Sequence, residues 1–352
     1  MRFKLPSQNF KILVTGGAGF IGGALVEKLF LHNNCEIYSL DKYGYASDTE
    51  RLIKLINENP LKKDKLINIK ADLTNQSVIS EYINKIKPNL IFHLAAESHV
   101  DRSISSPRIF FENNVFGTLN LVEASYYYWK NLNPKGKSTF KFIHISTDEV
   151  FGSLGSKGQF NEYSQINPRS PYSASKASSD HILNAWFHTY QFPGIITNCS
   201  NNFGPWQFPE KLIPNVILKC LNNEKISVYG NGENIRDWLY VDDHISALIN
   251  VAINGKIGEK YCIGGNTERK NIEVVEKICS ILDKKLQQNR SYTDLITFVK
   301  DRPGHDQRYS INNNKIKTLL NWEPEVKFES GLEKTIDWYI NNQIWIRKIQ
   351  CK

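Results

Sequence analysis

The chain has 352 residues, enough for one large domain or two smaller ones, and its 41% hydrophobic and 23% charged residues are ordinary for a soluble globular protein. Its net charge of +8 is carried by scattered lysines rather than by a block of like charges, which argues against a nucleic-acid partner. No run approaches the ~18 apolar residues of a membrane span, so no membrane partner is expected and a cytoplasmic location is. Six cysteines, at 35, 199, 220, 262, 279 and 351, stand alone without a C-x-x-C pair. That pattern predicts no metal site and favours buried thiols in a reducing compartment.

Residues 11–15 read as a short buried strand. Gly16, Gly19 and Gly22 follow, with Phe20 and Ile21 between them, and then a helix over 24–31. Further strands are predicted at 36–40, ending at Asp41, at 66–70, ending at Ala71-Asp72, and at 90–94, 140–145 and 195–198. Helical patterns fall between them, including 77–86 and 113–129. This alternation predicts an α/β fold with a doubly wound parallel sheet of the Rossmann type. After residue 198 the texture changes, with loops rich in Asn, Pro and Gly over 201–209 and 229–234. Residues 1–198 are therefore expected to be mainly the cofactor-binding domain. Residues 199–352 are expected to be mainly a smaller mixed α/β substrate-binding region, with segments returning to the sheet.

The three glycines make G-x-x-G-x-x-G between a strand and a helix, where a pyrophosphate can approach the backbone and meet the helix N-terminus. A glycine pattern alone is weak, but here an acid stands at the end of the next strand. Asp41 is placed for adenosine ribose hydroxyls and would repel a 2′-phosphate, which favours NAD over NADP, with Lys42 adjacent as a counter-indication. Asp72 and Leu73 are placed near the adenine, and Asp72 serves equally as a helix cap or turn residue. Leu94, Ala95 and Ala96 are small enough to let a cofactor lie against the strand end, or to permit tight packing.

Tyr172 and Lys176 are four apart and share one helix face, so an ammonium can lower the pKa of a phenol and make it a base near neutral pH. Asp148 and Glu149 follow the apolar run 140–145. A base, a carboxylic acid and a carboxylate together suggest that a proton and a leaving group depart besides a hydride. Alone, Tyr172 and Lys176 read as well as a half-exposed helix pair, and Asp148 and Glu149 as carboxylates that solvate a strand end; their joint occurrence after a dinucleotide site favours catalysis.

These stretches, with TGGAGFIG (15–22), DKYGYA (41–46), HLAAESHVDRSI (93–104), STDEVFG (146–152), YSASKASSDH (172–181), NCSNNFGPWQFPEKLIP (198–214), IRDWLYVDDH (235–244) and DRPGHDQRY (301–309), run across nearly the whole chain. The chain thereby resembles the extended short-chain dehydrogenases/reductases, the NAD-dependent sugar-nucleotide epimerases and dehydratases, and within them the dTDP-glucose 4,6-dehydratases. The resemblance implies NAD as cofactor, dTDP-glucose as substrate and a homodimer. It implies oxidation at C4 with Tyr172 accepting the O4 proton, C5 deprotonation by Glu149, protonation of the departing C6 hydroxyl by Asp148, and hydride return to C6. Thr147 would bond the sugar O4, and Lys176 would contact the nicotinamide ribose and depress the Tyr172 pKa. Ser98, Asn201, Lys211, Leu212, Ser227, Tyr229, Arg236, Asn271, Arg302 and His305 match sugar-nucleotide contacts, and Asn113 and Asn202 match positions near the cofactor. Arg236 and Arg302 suit diphosphate oxygens, and a salt bridge such as Arg236 with Asp237 is the bland alternative.

Three residues depart from the family pattern: Phe151 for Tyr, Asn113 for Thr and Gly44 for Thr. Other readings are a UDP- or GDP-sugar 4,6-dehydratase, a 4-epimerase or decarboxylase, or a non-catalytic NAD-binding scaffold. The aromatic run 126–129 offers either a dimer interface or core packing, and the apolar and basic tail 344–352 has no sequence-based account.

Overall fold

Short strands that are apolar on both faces can only sit between two layers of helices. The computed structural model describes residues 10–32, 35–287 and 290–350. Its strands are β1 Lys11–Thr15, β2 Glu36–Asp41, β3 Leu66–Lys70, β4 Leu90–His93, β5 Lys141–Thr147, β6 Gly194–Cys199, β7 Asn201–Phe203, β8 Ile226–Tyr229, β9 Ile235–Tyr240, β10 Lys260–Ile263, β11 Glu268–Lys270 and β12 Ile296–Val299. Seven form one sheet in the order β3-β2-β1-β4-β5-β6-β10, every neighbouring pair parallel.

Alternation along the strands divides the core. Ile12, Val14, Ile143 and Ile195 face one helical layer with Leu25, Leu29 and Leu248. Leu13, Phe142 and Ile196 face the other, with Ile79, Ile83, Leu121 and Phe192. The strand order reverses between β1 and β4, which leaves a crevice at the carboxyl ends of the strands.

The later chain builds a second core from the helices Leu212–Leu221, Asn271–Leu286, Phe328–Asn341 and Gln343–Gln350, around Ile217, Val274, Ile278, Leu332 and Ile336. Two small sheets, β11-β9-β7 and β12-β8, flank it. β10 returns to the edge of the main sheet beside β6.

Several elements differ from the sequence reading. The first helix begins at Phe20, inside the glycine pattern, because Gly22 and Gly23 pack tightly rather than breaking it. The helix expected over 113–129 divides into a wide turn, Phe111–Phe116, and the helix Gly117–Lys130. The tail forms the helix Gln343–Gln350, with Trp345, Ile346 and Ile349 buried in the second core. Trp345 packs on Trp206 and Trp338, its indole N–H bonds Asp48, and Lys348 pairs with Glu50 at 2.6 Å. Cys35, Cys199, Cys220, Cys262 and Cys279 are buried; Cys351 and the N-terminal residues 1–9 lie outside the described residues. Among the described residues, no helix is long and apolar enough to cross a membrane and no cluster of ligands fits a metal ion.

Candidate active site

A cleft of about 350 Å³ opens at the carboxyl ends of the sheet strands. Its floor is the turn between β1 and the helix Phe20–His32. Gly16 has φ +70°, and a Cβ there would lie 2.8 Å from the Ala95 backbone; a Cβ on Gly22 would lie 2.0 Å from the Gly16 carbonyl oxygen. Side chains at these positions would break the turn that brings the helix N-terminus to the cleft.

Asp41, at the end of β2, is buried. Its Oδ2 accepts the Ala18 N–H at 3.1 Å, and Oδ1 accepts the Tyr43 N–H and the Ser47 hydroxyl at 2.8 and 2.7 Å. The carboxylate thus staples the 41–47 loop to the glycine turn while lining the cleft. Lys42 also lines the cleft and donates to Glu97 Oε1 (2.5 Å) and Asn113 Oδ1 (2.9 Å), so its charge is already answered. Asp72 takes the turn role, with Oδ1 accepting from the Thr74 N–H and hydroxyl at 2.8 Å each, and it too lines the cleft. Leu73, Leu94, Ala95, Ala96, Ser98 and Asn113 complete this half with Gly19, Phe20 and Ile21. Closely packed glycines, a helix N-terminus and a buried acid fit a dinucleotide with free ribose hydroxyls.

The other half begins at the end of β5. Thr147 Oγ1 accepts the Glu149 N–H at 3.3 Å and so caps the short turn Asp148–Phe151. Asp148 is 1% exposed; its Oδ1 accepts the Thr147 hydroxyl at 3.3 Å and its Oδ2 has no protein partner. Burial, then Glu149 and Asp237, push the Asp148 carboxyl well above the usual carboxylate range. Glu149 is raised by burial too, but Arg302, Lys211 and Arg236 pull it back. Two adjacent carboxyls thus differ: one favours its proton, while the other has cations that favour its charge.

The helix Pro171–Tyr190 starts with a Ser170–Ser173 capping box and Pro171 in its first turn. It sets Tyr172 and Lys176 against β5 and β6, both lining the cleft. Lys176 Nζ donates to the Ile145 carbonyl at 2.8 Å. The Tyr172 phenol is held well above its ordinary value by burial, then Glu149, Cys199 and Asp148. The lowering expected from Lys176 is not what this arrangement gives, because the phenol shares its pocket with two carboxyls while the ammonium turns to a backbone carbonyl.

Asn201, Asn202, Lys211 and Leu212 line the same cleft. Lys211 Nζ donates to the Ser98 carbonyl at 2.6 Å, and Asn202 Oδ1 meets His244 Nδ1 at 2.9 Å. Ser227, Tyr229, Arg236, Asn271, Arg302 and His305 are outside the lining. Arg236 is buried, stacked 4.4 Å over the Tyr309 ring and donating to the Ile235 and Asp306 carbonyls. It does not pair with Asp237, whose oxygens accept the Gly265 and Thr267 N–H groups; neighbours on a strand point to opposite faces. Arg302 Nη1 and the Tyr229 hydroxyl meet Asp101 at 3.4 and 3.2 Å, and His305 Nδ1 meets Asp301 at 2.6 Å. Ser227 is exposed beside them on β8, and the Asn271 side-chain oxygen is buried without a protein partner.

Of the departures, Phe151 sits in an apolar cluster with Phe160, ring centroids 5.3 Å apart, and is not part of the cleft. Asn113 gains the bond to Lys42, and Gly44 lines the cleft. Sequence reasoning did not single out Tyr45, Phe208 and Glu210. Tyr45 packs edge-on against Phe208 at 5.5 Å, donates to Glu210 Oε1 at 3.0 Å and lies under Arg102 at 3.6 Å, joining the two halves of the cleft. No short-range spacing could reveal a contact between residues 165 positions apart.

A family model described as GDP-mannose 4,6-dehydratase matches residues 13–335. The chain belongs to the nucleotide-sugar 4,6-dehydratase family. Among curated relatives of this dehydratase family, a probable dTDP-glucose 4,6-dehydratase of Sinorhizobium fredii is 49% identical, covering 97% of this chain and 96% of the relative. The dTDP-glucose 4,6-dehydratase 1 of Escherichia coli K12 is 46% identical, with 97% and 95% covered. The crystal structure of the Bacillus anthracis dTDP-glucose 4,6-dehydratase in complex with NAD aligns with a TM-score of 0.84 at 40% identity, over 97% of this chain and 99% of that one. The Streptomyces venezuelae enzyme, crystallised with NAD and a second ligand, gives 0.86 at 36% identity, over 97% and 100%.

Proposed function

We propose that this protein converts dTDP-glucose into dTDP-4-keto-6-deoxyglucose and water with NAD as a recycled cofactor. The observation that carries the reading is the Asp148–Glu149 pair, two carboxyls of different proton affinity beside Tyr172 and Lys176. A 4-epimerase has no step that needs such a pair. The family membership and the relatives' names support the same reading.

NAD, when bound, would accept the C4 hydride and give it back at C6, and would bring to the cleft a positive charge that favours the Tyr172 phenolate. Gly16, Gly19, Phe20, Ile21, Gly22 and Asp41 would hold its pyrophosphate and adenosine ribose; Asp72, Leu73, Leu94, Ala95, Ala96 and Asn113 would flank it. Lys42 would act through Glu97 and Asn113 rather than through a phosphate. Lys176 and Asn202 would lie at the nicotinamide end.

Once the bound cofactor's positive charge favours its phenolate, Tyr172 takes the O4 proton, with Thr147 orienting that oxygen; the proton later passes to solvent, and Asp148 regains one for the next turnover. The new ketone acidifies C5, and Glu149 removes the C5 proton. Asp148, already protonated, gives its proton to the C6 hydroxyl, which departs as water. The proton taken by Glu149 exchanges with solvent before Glu149 delivers a proton back to C5. Ser98, Asn201, Lys211 and Leu212 would line the sugar end of the cleft. Arg236 and Arg302 would meet the diphosphate, with Ser227, Tyr229, Asn271 and His305 nearer the nucleoside. Residues to 198 serve mainly the cofactor and those after it mainly the sugar nucleotide.

A homodimer is also proposed. Ile104, Ile109, Phe116 and Tyr127 expose apolar surface on the helices around 100–130, as an unpaired interface would. Phe116→Glu is expected to halve the mass seen by light scattering; an unchanged mass would place the interface elsewhere. Buried Cys199, Cys220, Cys262 and Cys279 favour a reducing, cytoplasmic location. Incubation with dTDP-, UDP- and GDP-glucose tests the reaction: the dTDP sugar should lose one water fastest. Preference for another nucleotide would move the substrate, and a C4 epimer would end the dehydratase reading.

A further inference from the structure

The helix Pro171–Tyr190 carries Tyr172, Lys176 and Asp180 at steps of four, which puts all three on one stripe against the sheet. Asp180 is 2% exposed, too deep to touch a substrate. Its Oδ1 lies 3.2 Å from Nε2 of His144 on β5. Its Oδ2 accepts from the Asn198 amide on β6 at 3.2 Å, and the same amide donates to the Thr147 carbonyl at 3.0 Å. Behind His144 lies His93 on β4, ring centroids 5.2 Å apart, bonded to the Thr15 and Thr118 hydroxyls at 2.8 Å each.

We propose that Asp180 is a positioning residue of this reaction: its carboxylate is the counter-ion that keeps Lys176 an ammonium, and through Asn198 it anchors the Thr147 carbonyl at the root of the acid pair. The proposal rests on the roles given above to Tyr172 and Lys176.

The surrounding groups leave this task to Asp180. Burial lowers Lys176 to about 8, and Asp180 is the strongest influence holding it up. His144 is pushed down to about 4 by burial and then by Lys176, so it is neutral at physiological pH and cannot cancel the Asp180 charge. His93 is lowered well below its ordinary value by burial, His144 and Lys176. Cys199 on β6 is raised to about 12 by burial and remains a thiol. Ser146 on β5 also favours the charged form of Asp180. On the same helix the Tyr172 phenol is raised well above its ordinary value by burial and by Glu149, Cys199 and Asp148, so it adds no negative charge beside Lys176 until the cofactor binds. The segment Phe111–Phe116, packed on the helix, contributes the Asn114 amide, which donates to Ser175 Oγ at 2.8 Å. Among the described residues, Asp180 is the ionised carboxylate that answers this ammonium, and a buried charge stripped of its partner is costly.

Asp180→Asn keeps the side-chain size and removes the charge. With NAD-loaded enzyme, the alkaline limb of kcat, expected near the Lys176 value of about 8, should move down by about one pH unit or more. Turnover at pH 8 should then fall ~fivefold or more, recovering to within about threefold as the pH is lowered. Asp180→Glu should keep the limb in place. A loss of the same factor at every pH would mean packing alone and would overturn the proposal, as would an unchanged profile. Melting temperatures give a second test that needs no turnover. Lys176→Met leaves the buried Asp180 charge without its cation, so adding Asp180→Asn should raise the melting temperature of that variant; a further fall would overturn the proposal even if Asp180→Asn alone does not fold. A wild-type chain inactive on dTDP-glucose would sink the proposed function and leave this stability test standing.

Discussion

Asp148→Asn separates the acid role from structure more cleanly than any other change. The side chain is 1% exposed, and Asn matches it in size. Loss of a positioned general acid costs ~10²–10⁴-fold in kcat. Stability should move the other way. An unfolded carboxyl loses its proton near about pH 4, whereas burial holds the folded one protonated to well above that. Between those pH values the folded state binds more protons, so this group makes stability fall as pH rises, by about 1.4 kcal/mol per unit. Asn does not titrate and escapes the penalty. Over two pH units the difference is about 3 kcal/mol, or about 4 °C in Tm for a chain of this length. Melting curves from pH 4 to 7, beside dehydration rates, measure both effects. The reasoning is refuted if the variant turns over like wild type, or if it melts lower than wild type by a margin that widens as pH rises.

Glu149→Gln should lose ~10²–10⁴-fold in turnover; in wild type the rate should fall at acid pH as Glu149 is protonated, at a pH above the ordinary Glu value because burial raises it. Full turnover in the Gln variant would remove Glu149 as the C5 base. Asp41→Ala takes away the acceptor of three bonds at the glycine turn and should weaken NAD binding at least ~tenfold by calorimetry; unchanged affinity would remove Asp41 from the ribose site. Trp345→Ala empties the space among Trp206, Trp338 and Tyr339 and should cost ~3 kcal/mol, or ~4 °C in Tm; an unchanged Tm would show that the last helix does not hold the second core.

The sheet was legible because parallel strands buried on both faces leave continuous apolar runs, and because glycines punctuate the first turn. Tyr172, Lys176, Asp148 and Glu149 were legible as residue types whose joint presence has a chemical purpose. The first-helix start was hidden because Gly22 and Gly23 lower helix propensity while tertiary packing restores it. The tail was opaque because its apolar face has meaning only once Trp206, far away in sequence, closes the cluster that Trp338 and Trp345 begin. The charge state of Tyr172 was misjudged from spacing alone: an i, i+4 pair fixes proximity, but the direction Lys176 points is set by the Ile145 carbonyl. Asp180 stood in plain view on the same helical stripe, yet its partners His144 and Asn198 come from two other strands.

The most direct test of the central claim is incubation with dTDP-glucose in deuterated water without added reductant, read by NMR and mass spectrometry. The account predicts a 4-keto-6-deoxy product with deuterium at C5 and the C4 hydrogen carried to C6. A C4 epimer that keeps its water, or a dehydrated product without deuterium at C5, would contradict the roles given to Asp148 and Glu149.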